Sequence, residues 1–296
     1  MNFVSGEKIQ QLCDIYCGNS FHLNRNPIIK QQTEKHLDLE TLQTEFDNPK
    51  LVFCYSQCLD LLREKIHFFK NNFVLVSHNE DTNVTEQYRS LADTPKITKW
   101  FAQNLMINHS KVHFLPIGIA NSMWPHGNLQ LLETISLASK DMEKSTDVFF
   151  NFRISTNPSA RQQCHTILTA KGLQFTHDIP HIQCLLEMAK SKFFISPDGN
   201  GIDCHRIWEG YALGAIPILL KSPFSLHLQS MLPCVLLDSW SDFNLQSCLS
   251  QYTVLKQQLE SNSTFTNFET YKQRILQAVD DLTNKAVILN LSLIHI

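Results

Sequence analysis

Short apolar runs alternate with stretches of helical spacing along most of this chain. Phe73-Val74-Leu75-Val76, Val112-His113-Phe114-Leu115, Val148-Phe149-Phe150-Asn151-Phe152, Leu173-Gln174-Phe175-Thr176, Phe193-Phe194-Ile195-Ser196, Ile216–Leu220 and Cys234–Leu237 have the length and composition of buried strands. Leu59, Leu62, Ile66 and Phe69 recur at three- and four-residue spacing and predict a helix over about 55–70. Thr94-Pro95, a cap followed by a first-turn proline, predicts a second helix to about Asn104. Pro158 opens a third, which Gly172 ends, and further helices are predicted over Pro180–Lys190, near Ser225–Met231, and over about 242–258 and 267–283. Residues 1–50 are polar and loosely patterned, predicting only short helices and loops. Strands alternating with helices in both halves put the chain in the α/β class, as two doubly wound Rossmann-like domains. The charged stretch Asp141–Asp147 has no apolar face and is the expected linker, dividing an N-terminal domain of residues 1–142 from a C-terminal one of 143–290. Leu291–Ile296, LSLIHI, reads as a translated adapter scar, with the natural end expected further on.

One stretch carries chemistry. Phe193–Leu220, FFISPDGNGIDCHRIWEGYALGAIPILL, reads as strand, turn, helix, strand. Pro197-Asp198-Gly199-Asn200-Gly201 is turn sequence, in which glycine and asparagine tolerate positive φ. Asp203 is a suitable N-cap for a helix over Cys204–Leu213, and Gly214 falls where a left-handed residue closes it. Such a loop delivers free N–H groups at the positive end of a helix, an anion site at the carboxyl end of a strand. Arg206 adds a delocalised charge suited to phosphate, and Glu209, one turn on, can accept from two vicinal hydroxyls such as a ribose offers. The plainer reading is a βαβ turn with a capped, salt-bridged helix.

The pattern S-P-x-G-N-G-x-D-x-H-R-x-W-E, followed by G-x-I-P, from Ser196 to Pro217, resembles the nucleotide-sugar-binding segment of exostosin-like glycosyltransferases. The resemblance implies the GT-B architecture, two Rossmann-like domains facing a cleft, with the acceptor on the N-terminal side. It implies that Gly199, Asn200, Gly201 and Arg206 face the donor diphosphate and that Glu209 holds the ribose, with Ser196, Asp203 and His205 also in the donor site. The partners implied are a nucleotide sugar, most often a UDP-sugar, and a glycan or other hydroxyl acceptor. The alternative is a non-catalytic nucleotide- or sugar-binding relative of such enzymes.

Composition narrows this further. At 296 residues the chain suits two domains of about 140 residues each. Hydrophobic content of 43%, charged content of 18% and a net charge of −3 suit a soluble globular protein and give no reason to expect nucleic acid or an anionic membrane as partner. Phosphate binding must then be local. The nine cysteines contain no C-x-x-C and read as free thiols in a reducing compartment, Cys13/Cys17 and Cys54/Cys58 on helix faces. Met1–Ser20 carries Glu7, Lys8 and Asp14 without an apolar core, and no membrane segment occurs in this chain. A cytoplasmic location is therefore expected, or the Golgi lumen if an N-terminal anchor lies outside the chain.

No D-x-D occurs, so no cofactor and no metal are expected, and the leaving diphosphate would be stabilised by helix N-termini and arginines. Arg153, in the first loop of the second half, is a further phosphate ligand or else a surface partner of Asp147 or Asp178. Gly201 stands eight residues before Glu209, where many retaining GT-B enzymes carry a glutamate, which favours inversion. Inversion needs a base for the acceptor hydroxyl. His78, Glu80 and Asp81, at the end of a first-half strand, are the candidates, against a reading as a solvated turn. His126 is a lesser one, and Trp208 is expected to pack on the sheet.

Overall fold

The computed structural model describes residues 2–25 and 30–294, the side chains of 286–294 excepted. The chain divides into two compact units: a first made of Gly6–Pro116 and the chain from Phe268 on, and a second made of the chain up to Ser5 and Ile117–Asn267.

The first unit is built on β1 (Ile15–Gly18), β2 (His36–Asp38), β3 (Leu51–Tyr55), β4 (Phe73–His78), β5 (Ile97–Ala102) and β6 (Val112–Phe114). They form one parallel sheet in the order β2-β1-β3-β4-β5-β6. Every residue of β3 and β4 is buried, as parallel strands covered on both faces must be. Strand order reverses between β1 and β3, and the carboxyl ends there are where an open α/β sheet binds ligands.

Several expectations change here. Strands β1 to β3 arise from sequence in which no strand was expected. Cys17 and Cys54 stand opposite one another on β1 and β3, not on helix faces. The helix expected from Thr94 to Asn104 is instead strand β5. Pro95 holds Thr94 extended (φ −54°, ψ 138°), and Ile97, Thr98, Trp100 and Phe101 are β-branched or aromatic.

The second unit carries β7 (Thr146–Phe149), β8 (Ser191–Ile195), β9 (Ile216–Leu220) and β10 (Val235–Leu237), parallel and in sequential order across the sheet. Two of its helices are bounded by local sequence signals. Asn157 Oδ1 caps Pro158–Ala170 through Ala160 N–H, Gly172 (φ 89°) follows it, and Ser222 forms a capping box at Pro223–Gln229. Leu173–Thr176 makes no strand. Phe175 instead covers Phe150, Phe152 and His165, and Thr176 N–H bonds Phe150 O at 2.8 Å. Thus each unit is a parallel α/β layer of Rossmann-like type.

The division expected at 142/143 falls at 116/117. Helix Leu129–Ala138 packs on helices His181–Ala189 and His205–Ala212 of the second unit. Helix Phe268–Ile294 packs on β4 and β5 of the first. It runs into the stretch set apart at Leu291, whose last two residues lie outside the described ones. Among the described residues no helix is long and apolar enough to cross a membrane.

Candidate functional site

The strand–turn–helix–strand read from Phe193–Leu220 is present in the second unit as β8, a loop, helix His205–Ala212 and β9. Helix and strand sit in close contact because residue 210 has no side chain: a Cβ there would stand 2.2 Å from the Phe194 ring. Gly214 takes φ 71° and its N–H bonds Tyr211 O, closing the helix as expected. The glycines of the loop act differently from expectation. Neither Gly199, Asn200 nor Gly201 has positive φ. Gly199 is needed for space, since a Cβ would lie 3.0 Å from Cys204 Sγ and 3.2 Å from Arg161 Nη2.

Arg161 is the brace of this loop. Buried in helix Pro158–Ala170, it donates from Nε to Asp198 O (2.9 Å) and from Nη1 to Arg153 O (2.8 Å), while Asn157 Nδ2 donates to Gly199 O (2.8 Å). Three carbonyls on two loops are thereby tied to one helix start. Arg153 itself projects to solvent, and Asp147 pairs with Lys192 at 2.7 Å.

Asp203 is not the cap, and both of its carboxylate oxygens are engaged within the second unit. It is 2% exposed, accepting at Oδ2 from Ile117 N–H (2.7 Å) and at Oδ1 from the Trp208 indole (2.8 Å). Cys204 holds the N-cap position without a side-chain bond. Burial lifts the Asp203 carboxyl to about 7, against the opposing pull of its two donors. Trp208 is buried as expected. With no capping side chain, the amides of His205 and Arg206 donate to nothing among the described residues, which leaves the positive end of the helix open to an anion. Ser196 Oγ is likewise buried without a partner. Asn200 is exposed at the loop tip.

The remaining predicted residues converge. The half-buried Arg206 donates from Nη1 to the carbonyls of Asn151 and Ile195, and its Nε and Nη2 make no bond among the described residues. Burial lowers its pKa, but a guanidinium stays charged at any working pH. Glu209, 6% exposed, accepts at Oε1 from His181 Nε2 (2.9 Å), while Oε2 has no partner among the described residues. Burial works to raise the Glu209 pKa, but the His181 bond and the charges of His181, His205 and Arg206 outweigh it and hold the carboxyl below its usual value. The same bond raises His181. His205 donates from Nδ1 to Gly118 O (2.8 Å), which leaves Nε2 the acceptor of the neutral ring, and burial lowers its pKa. His126, also lowered by burial, has its ring 6.0 Å from those of both His181 and His205. The His205 ring, a fixed carboxylate and a guanidinium edge thus surround one helix start. No sequence signal marked His181, which reaches Glu209 from 28 residues away.

The base candidates belong to the first unit. His78 is 1% exposed, with Nε2 2.9 Å from Pro116 O and Nδ1 3.1 Å from Asn79 Oδ1, so its ring is held inside the fold. Asp81 is exposed. Glu80 lies between these extremes: its side chain is 25% exposed and Oε1 stands 3.2 Å from His22 Nε2. Among the described residues no three His, Cys, Asp or Glu side chains are grouped to hold a metal ion.

Neither the models of protein families nor the curated proteins match this chain. Among solved structures it is similar to the pneumococcal O-GlcNAc transferase GtfA in complex with UDP and GlcNAc, at 12% identity and a TM-score of 0.32, over 83% of this chain and 57% of that one. It is also similar to a glycosyltransferase from Rickettsia africae ESF-5, at 10% identity and a TM-score of 0.43, over 87% of this chain and 88% of that one. The chain therefore spans 57% of the length of the first. At such scores neither likeness carries weight for fold or activity.

Proposed function

We propose that the chain is an exostosin-like glycosyltransferase, transferring a sugar from a nucleotide sugar, a UDP-sugar above all, to a hydroxyl acceptor. The observation that carries the reading is the helix start at His205. Two unbonded amides, the open edge of Arg206 and the unpartnered Oε2 of Glu209 lie on one short segment, in the order a diphosphate and a ribose require. The amides and guanidinium stabilise charge on the departing diphosphate without a metal, as preorganised dipoles do at low dielectric. Gly201, in place of a second carboxylate, supports inversion. Inversion needs a base, and of His78, Glu80 and Asp81 it is Glu80 that combines a position fixed by His22 with an oxygen unbonded among the described residues. The test is thermal shift with UDP. The wild type is expected to be stabilised, with the shift lost in Arg206→Ala and reduced in Glu209→Ala. No shift, or equal shifts in all three, refutes the donor assignment.

A further inference from the structure

The second unit carries a cavity of about 600 Å3 that the donor reading does not use. All of its lining residues fall within Ile117–Asn267. Leu213 and Gly214, which close helix His205–Ala212, line it, as does Lys192 at the amino end of β8. The cavity is therefore at the opposite end of that helix from the candidate donor site, about 12 Å away at 1.5 Å per residue. Met142, Tyr211, Leu213, Tyr252 and Leu259 supply its apolar wall.

Lys144 is the cation that matters here. Half-buried, it reaches past Gly214, where a Cβ would stand 3.4 Å from Nζ. Nζ donates to Ala189 O (2.7 Å) and Leu213 O (2.6 Å), at the closing ends of helices His181–Ala189 and His205–Ala212, where a positive charge is favoured. An ammonium has three N–H donors, and the third meets no acceptor among the described residues. No carboxylate among them pairs with it either. Burial, and then the charge of Lys256, lowers the Lys144 pKa to about 8, so the two carbonyls leave part of its desolvation cost uncompensated. The other charges lining the cavity are paired or exposed. Lys192 stands 2.7 Å from Asp147, and Lys256, 54% exposed, stands 3.8 Å from Glu260, 65% exposed. Lys140, Asp141 and Glu143 are exposed.

We propose that this cavity binds a small amphipathic monoanion, a carboxylate on an apolar tail. The carboxylate accepts the third N–H of Lys144, and the tail lies along Tyr211, Tyr252 and Leu259. A mostly apolar cavity of this size with one fixed polar group is the form that small-molecule sites take. The anion supplies the opposite charge that burial otherwise denies the ammonium, and the wall removes the tail from water. The exposed carboxylates of Asp141, Glu143 and Glu260 oppose a second negative charge, which sets the ligand class as a monoanion. Binding is reversible and non-covalent. The site stands independently of the donor reading, since it shares no ligand-binding side chain with it.

The test titrates the full chain, labelled with 13C at lysine Cε and kept reduced, with octanoate, octanol and octylammonium in turn. Affinities are read by calorimetry, and the Lys144 signal is assigned by its loss in Lys144→Arg. Octanoate is expected to bind saturably, to move the Lys144 signal and to raise the pH at which that lysine titrates above about 8. Octanol is expected to bind at least about tenfold more weakly, having lost one charge-assisted hydrogen bond, and octylammonium not to bind. Lys144→Gln is expected to weaken octanoate by a similar factor. Met142→Glu, which places a carboxylate at an exposed position of the wall, is expected to weaken it too and keeps the test decisive where Lys144→Gln does not fold. No saturable octanoate binding, an unmoved Lys144 signal, equal affinity for octanol or octylammonium, or undiminished affinity in either folded variant overturns the proposal. Thermal shift with UDP on the same samples reads the donor site separately, so the failure of one reading is told from the failure of the other.

Discussion

Asp203 offers a test in which the magnitude follows from the geometry. Its oxygens accept from Ile117 N–H at 2.7 Å and from the Trp208 indole at 2.8 Å, inside the second unit and away from water. Burial raises the carboxyl to about 7, against about 3.9 in an unfolded chain. A group that holds its proton more tightly when folded stabilises the fold at low pH and withdraws that stability as pH rises. Between about pH 4 and pH 7 the native chain keeps a proton the unfolded chain has released, so the unfolding free energy falls across that window. Some three pH units at about 1.4 kcal/mol each give a total of about 4 kcal/mol. Asp203→Asn abolishes the titration. Its amide still accepts from one donor but turns an N–H toward the other, at a pH-independent cost of about 1–3 kcal/mol. Urea unfolding followed by tryptophan fluorescence, from about pH 4.5 to about 7.5 under reducing conditions, measures both chains. The wild type is expected to lose its advantage over Asp203→Asn steadily with rising pH. A difference between the two that stays constant over the range would refute the assignment of Asp203 as a desolvated strut.

Three further outcomes follow from the same site. Gly210→Ala sets a Cβ 2.2 Å from the Phe194 ring and must lift the helix off β8, costing about 1–3 kcal/mol or more in equilibrium unfolding; unchanged stability would contradict the packing. Gly199→Ala presses on Cys204 and Arg161 and is expected to displace the loop, shrinking the UDP-induced thermal shift while far-UV circular dichroism stays the same. His181→Gln tests the ion pair with Glu209. His181, raised by its bond to Glu209, stabilises fully below the ordinary imidazole pKa of about 6.5 and loses that contribution as pH climbs through its folded value. Glu209, held low, loses its own contribution only as pH falls through its depressed value. The wild-type advantage over His181→Gln is therefore expected to narrow above about pH 6.5, and a flat difference would exclude the pair.

The second unit was the more legible in sequence because its signals are local. Phe193-Phe194-Ile195 is an unbroken apolar run, Pro158 and Pro223 mark helix starts, and Gly172 and Gly214 both adopt the left-handed conformation their positions imply. Strands β1 and β2 were hidden because they are four and three residues long and β1 ends in glycine. Trp100 and Phe101 fit an amphipathic helix as well as a buried strand, and sheet pairing decides between them. Asp203 has the chemistry of an N-cap, but tertiary contacts to Ile117 and Trp208 claim both of its oxygens. The side chains that define the candidate sites were the least visible. Arg161 braces loops from its own helix, His181 meets Glu209 across 28 residues and His22 meets Glu80 across 58. No spacing rule links residues so far apart, and only the folded sheets bring them together.

The central claim is that a nucleoside diphosphate rests on the start of helix His205–Ala212. A crystal structure of the full chain grown with UDP tests it most directly. The expected result is diphosphate oxygens within hydrogen-bond distance of the His205 and Arg206 amides and the Arg206 guanidinium, with the ribose hydroxyls on Glu209 Oε2. UDP seated elsewhere, or that helix start empty at saturating UDP, would contradict it.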